Sequence, residues 1–166
     1  KHKFNIIYKL FIDKTSFILS SLGININTVP VLDLRYKGSS KIIGNRAFSK
    51  NPTVVSNIGE ICIKSFRDNS IGTVIKHIPG HGLAKVDSHM FTPIVNKNEK
   101  YLIKNDFLSF KNKKTFFAMT AHIIFKQIDN KNTVTHSKKL SYLSKKDFVA
   151  FKNKKTFFAM TAHIIF

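Results

Sequence analysis

"IGTVIKHIPGHGLAKVDSH", residues 71–89, is the stretch on which the fold turns. Ile71–Ile78 is a short apolar run rich in β-branched residues, and it stops at Pro79-Gly80, a pair that ends strands. It reads as a short buried strand. Lys76 and His77 sit at its end, and His81, Gly82, Asp87 and His89 follow in the next few residues. Chemistry-bearing side chains therefore gather at and just beyond the carboxyl end of one strand. Sites form there when the sheet is parallel, and the flanking sequence decides whether it is.

Working outward, residues 4–21 place apolar side chains at helical spacing and end at Gly23, a helix stop. "ININTVPVLDL" (24–34) reads as a strand entering a loop at Asp33. "SKNPTVVSNIGEICIKSFRDNS" (49–70) opens with Asn51 as N-cap and Pro52 at the first helical position. Val54, Val55, Ile58, Ile61, Cys62 and Phe66 then recur at helical spacing. Downstream, "KNEKYLIKNDFLSFK" (97–111) reads as a second amphipathic helix, "TFFAMTAHIIF" (115–125) as a third strand, and 138–148 as a last helix. Strands alternating with helices specify an α/β fold with a parallel sheet. Asp33, His77, His89 and His122 all fall at or just after strand ends.

Bulk composition narrows the function. The chain has 166 residues, enough for one domain with a sizeable core. Its net charge of +19 suggests an anionic partner, but only Arg35, Arg46 and Arg67 among the 28 basic residues are arginines. Lysines scatter along the chain, and Lys, Asn, Ile and Phe run high together, the mark of an AT-rich genome. Neither a nucleic-acid partner nor a membrane partner is expected. The lone Cys62 makes no intrachain disulfide and is read as a buried structural thiol. The apolar start is broken by Lys9, Asp13 and Lys14 and has no small-residue cleavage site, so a cytoplasmic setting is expected.

Several readings of the loop compete. His77 or His81 can simply cap a strand end. His81, His89 and Asp87 are a conceivable zinc set, although no HExxH or CxxC spacing accompanies them. Asp87 and His89, two residues apart, can meet through a turn, with the carboxylate orienting the ring for proton transfer. Lys76 and His77 can both donate to hydroxyls, and Pro79, Gly80 and Gly82 suit a loop that closes over a ligand.

"KHIPGHG" followed by "DSH" (87–89) resembles the signature of glycoside hydrolase family 3, in its bacterial β-N-acetylhexosaminidase branch. "LGININTVPVLDL" (22–34), "IGNRAFSKNPTVV" (43–55) and "MTAHIIFKQID" (119–129) resemble further motifs of that family, in its order. The resemblance implies a (β/α)8 TIM barrel, of which this chain would supply roughly strands three to five. It implies a retaining mechanism without cofactor or metal, with His89 as proton donor and Asp87 as its partner. Arg46, Lys76 and His77 would hold an N-acetylglucosamine-containing saccharide or muropeptide, in peptidoglycan recycling.

The sequence also departs from the family. The nucleophile, in a stretch resembling S-D-D on the next strand, has no match. Asp147 lies at about the right distance along the chain, but in the context "SKKDFVAF". "FKNKKTFFAMTAHIIF" occurs at 110–125 and again, unchanged, at 151–166. Residues 1–150 are accordingly read as an incomplete family 3 barrel domain, and 151–166 as a duplicated copy outside the working design. A solenoid is rejected, because two identical units do not make an array. The expectation is a hexosaminidase fragment lacking its nucleophile, or a non-catalytic sugar-binding half that needs a complementary barrel half.

Overall fold

The strand read from Ile71–Ile78 is the centre of the sheet. In a computed structural model describing residues 2–38, 41–140 and 157–159, it forms β2 (Gly72–Ile78). The preceding elements are α1 (His2–Ser21), β1 (Ile26–Asn27) and α2 (Pro52–Asp68). After it come β3 (Ile94–Val95), α3 (Glu99–Lys104), β4 (Phe117–Thr120), β5 (Ile124–Phe125) and β6 (Phe157–Ala159). The first sheet runs β1-β2-β4-β6 and the second pairs β3 with β5, all of them parallel. The expected α/β class with a parallel sheet is what the chain builds.

Three expected elements are shorter or divided. The strand read over 24–34 pairs only at Ile26–Asn27, with one further bridge from Val31 to Lys76. Pro30 has no N–H to give the ladder, although its carbonyl still accepts from Lys76 N at 3.2 Å. The helix read over 97–111 stops at Lys104 and resumes as a 3-10 turn, Asp106–Phe110, because Asn105 leaves helical geometry (φ −120°, ψ −92°). The strand read over 115–125 splits between the two sheets. Ala121 N still donates to the Ile78 carbonyl at 2.7 Å, whereas Ile124 N donates to Pro93. The last helix begins at Lys138, and beyond Leu140 its expected span lies outside the described residues.

Local signals set the helix that backs the site. Asn51 Oδ1 accepts from Thr53 N (2.9 Å) and Val54 N (3.2 Å), and Pro52 occupies the first turn, where no N–H is required. α2 buries Val55, Gly59, Cys62, Ile63 and Phe66. Ile63 and Gly59 were not among the expected inward positions, and Val54, which was, is exposed. A Cβ on Gly59 would meet the end of the Leu32 side chain, so α2 packs close to the segment after β1 at this position and a larger residue would force Leu32 to shift. The main core joins Leu32, Ile63, Ile75, Ile78, Phe110 and Phe125. A smaller cluster joins Ile12 of α1 to Cys62, Phe66 and Ile71. Cys62 is buried, as expected, and burial raises its thiol to about 11.

Candidate active site

The end of β2 is irregular in a way that serves the loop after it. Lys76 pairs with Met119 and Ile78 with Thr120, so one residue is extra and the strand bulges at His77. A bulge re-aims the side chain it carries. His77 turns to Asp33, which is fully buried at the end of the neighbouring segment. Its Nδ1–H donates to Asp33 Oδ2 at 2.7 Å, and its backbone N–H to Oδ1 at 3.3 Å. The His81 backbone N–H donates to the same Oδ1 at 2.6 Å. Burial alone would raise the Asp33 carboxyl. The bond and charge of His77, aided by His81, outweigh that and hold it below its ordinary value. An ionised Asp33 fixes the tautomer of His77 and leaves Nε2 for the cavity.

The loop then folds back on itself. His81 Nε2 lies 3.0 Å from Ser88 Oγ, which ties the first turn to the second. Burial lowers the His81 imidazole, against the pull of Asp33, so the neutral ring is favoured. Its Nδ1 is buried without a partner. Asp87 Oδ1 accepts from both the His89 backbone N–H (2.7 Å) and Nδ1 (2.9 Å), so the pair read from the sequence is formed. The backbone bond leads in holding Asp87 below its ordinary value. The dyad is open to solvent, with His89 75% and Asp87 42% exposed at the side chain.

A cavity of about 150 Å³ is lined by Arg46, His77, His81, Ser88, His89 and His122, together with Met119 and Thr120 of β4. The structure thus brings Arg46, His77 and His89 together, along with the strand-end His122. Arg46 ends a 3-10 turn, Gly44–Arg46, and its Nη2 donates to the Ile42 carbonyl at 2.6 Å. Lys76 stands beside the cavity rather than on its wall, donating to Thr28 Oγ1 at 3.3 Å. Burial, then the Arg46 charge, lower its ammonium. A larger cavity, about 200 Å³, lies at the opposite end of β2 and β4 beside Ile63, Gly72 and Thr115. No histidine or carboxylate lines it, so the chemistry belongs to the smaller one.

Sequence reasoning missed three features. Asp33 was noted for its position, but nothing along the chain showed that it anchors two histidines. The His81–Ser88 tether carried no signal. Asp106 and Tyr36 lie under the loop, where the Tyr36 O–H donates to Asp106 Oδ2 at 2.9 Å, and neither stands out in the sequence. Among the described residues, no three His, Cys, Asp or Glu side chains converge to hold a metal ion, so the zinc reading has no ligand set. Asp129 caps a turn, accepting from Lys131 N and Asn132 N at 3.1 Å. Asp147 lies outside the described residues.

Residues 14–152 match the profile of the glycosyl hydrolase family 3 N terminal domain. "Beta-hexosaminidase A" from Pseudoalteromonas piscicida is 38% identical over 120 residues, covering 70% of this chain and 20% of that protein. Zn-bound CbsA from Thermotoga neapolitana superposes with a TM-score of 0.79 at 28% identity, over 95% of this chain and 34% of that one. NagZ from Neisseria gonorrhoeae, solved in complex with N-trifluoroacetyl-D-glucosamine, superposes at 0.80 and 26%, over 88% and 44%. The chain spans between a fifth and about a third of the length of the curated relatives it matches.

Proposed function

The chain belongs to glycosyl hydrolase family 3, and from that membership we propose that it carries the proton-transfer and sugar-holding part of a β-N-acetylhexosaminidase site. The observation that carries this is the Asp87–His89 pair, formed at 2.9 Å on a loop beside the cavity that holds His77 and Arg46. With Nδ1 held by Asp87, His89 Nε2 is the atom that gives a proton to the glycosidic oxygen as the sugar–oxygen bond breaks. It then takes a proton from the water that releases the sugar. Arg46 and His77 donate to sugar hydroxyls, and Lys76 supports them from Thr28. The substrate class is an N-acetylglucosamine-containing saccharide or muropeptide. Peptidoglycan recycling in the cytoplasm is the setting that goes with it. In this reading the parallel sheet is an arc of a (β/α)8 barrel.

A second reading has its own observation. None of the cavity-lining side chains is a carboxylate, and a retaining enzyme needs one about 5 Å from its proton donor. The nucleophile would then come from outside the described residues, or from a complementary barrel half, and the chain alone would bind sugar without turning it over.

The deciding experiment is nitrophenol release from a β-N-acetylglucosaminide by the 166-residue chain and by His89→Ala, with N-acetylglucosamine binding measured on both. Turnover lost in the variant supports the enzyme. Saturable binding without turnover supports the half-site. Neither, from a chain shown to be folded, overturns both.

A further inference from the structure

Asp106 takes no part in the site described so far, yet it is the buried group closest to the loop's turning point. It opens the 3-10 turn after α3 and is 1% exposed. Oδ2 accepts the Tyr36 hydroxyl, and Oδ1 has no partner. The loop crosses directly above it at Gly80. That residue sits at φ +140°, and a Cβ there would lie 2.8 Å from Asp106 Cβ and 3.4 Å from Oδ1. Gly80 stands between the two histidines that Asp33 holds, and its N–H donates to the His77 carbonyl at 2.7 Å.

Two buried carboxyls therefore flank one turn. Asp33 has three donors and is ionised. Asp106 has the Tyr36 hydroxyl as its one side-chain donor for two oxygens. We propose that Asp106 is a positioning residue of this site: as a neutral acid it supports the Gly80–His81 turn, and on ionising it displaces that turn and weakens the hold of His77 on the sugar. A carboxylate with a bare buried oxygen beside a second carboxylate is relieved only by admitting water or a donor, and the turn above it is the element that can move aside. Burial, reinforced by the Asp33 charge, pushes the Asp106 carboxyl up to about 7, and the Tyr36 hydroxyl opposes this. The other ionisable groups facing it are Tyr36, itself raised by burial and so still a donor, and Tyr101 of α3, which acts on Tyr36. His77 and His81 are held by Asp33 on either side of Gly80.

The sugar term rests on the function proposed above, so the test has an arm free of it. Amide and ring resonances of His77 and His81 are followed from about pH 5 to about pH 9 in the full chain, Asp106→Asn and Tyr36→Phe. N-acetylglucosamine affinity is measured over the same range. The His81 amide should step near neutrality in the parent, lose that step in Asp106→Asn, and show it at higher pH in Tyr36→Phe. Affinity should fall about fivefold above the step in the parent and stay level in Asp106→Asn. A step unchanged in both variants overturns the positioning role. No sugar binding at any pH, with the step present and lost in Asp106→Asn, removes the sugar reading and leaves the control of the turn standing.

Discussion

Asp33 and Asp106 are buried within reach of each other's charge, and the protein stabilises opposite forms of them. The folded pKa of Asp33 lies below its unfolded value, so its contribution is present above the unfolded pKa and fades as acid protonates it in the fold. That of Asp106 lies above, at about 7, so its contribution is complete below the unfolded value of 3.8 and is lost as pH rises through the folded one. The loss amounts to roughly 4 kcal/mol between those limits. The lowered His81 imidazole acts in the opposite sense, so the test is a difference: in urea unfolding, Asp106→Asn should lose less stability than the parent from mildly acid to neutral pH. A decline of equal slope in the variant would sink the assignment. Gly82→Ala tests the loop from its other side. A Cβ there would run into the Leu34 carbonyl, which is backbone and cannot turn away, so a loss of about 1–3 kcal/mol is expected in the same measurement. At this scale the sequence was a good guide to Asp33, His77, His89 and the Asp87–His89 pair, because strand ends and i,i+2 turns are local. It hid Asp106 because "KNDFLSF" continues an apolar rhythm, and only the chain crossing above it makes that aspartate special.

Elements with local causes were read correctly, and those divided by distant partners were not. The Asn51 cap and Pro52 fix the start of α2 within one turn, and the structure has both. Asn51→Ala should cost about 1 kcal/mol in thermal or urea unfolding, while Asn51→Ser should cost little. Equal losses would mean that the side-chain oxygen is not what the helix needs. The run 115–125 looked like one strand because its apolar residues are continuous, but its two ends answer to different neighbours. Phe117–Thr120 lies beside β2, and Ile124–Phe125 beside β3. Ala121, His122 and Ile123 turn the chain between them, and that turn brings His122 to the cavity. No periodicity announces a strand that changes partners midway. The same holds for 97–111, where the break at Asn105 starts the short turn that places Asp106 beneath Gly80.

Across the whole molecule, α1 presents a dry face and a greasy one. Ile12 and Ser16 pack inward, while Leu10, Phe11 and Phe17, with Leu22 just beyond the helix, are each more than 60% exposed. An apolar surface of that kind favours association, and a net charge of +19 resists it. Added salt screens the charge and spares the apolar attraction, so sedimentation or size exclusion should show larger species as salt rises. Dissociation with salt would point to ionic contacts instead. The repeated segment has a different consequence. β6 pairs with β4 one residue out of phase: Phe157, the copy of Phe116, lies opposite Phe117. The chain thus spells one phrase twice, and among the described residues Phe117–Met119 of the first copy lie between β2 and β6, whereas Phe157–Ala159 of the second pair with β4. It carries its own internal control. Slower amide exchange at Ala118 than at Ala159 would report what a slot confers on an unchanged string of letters, with composition cancelled by the molecule itself.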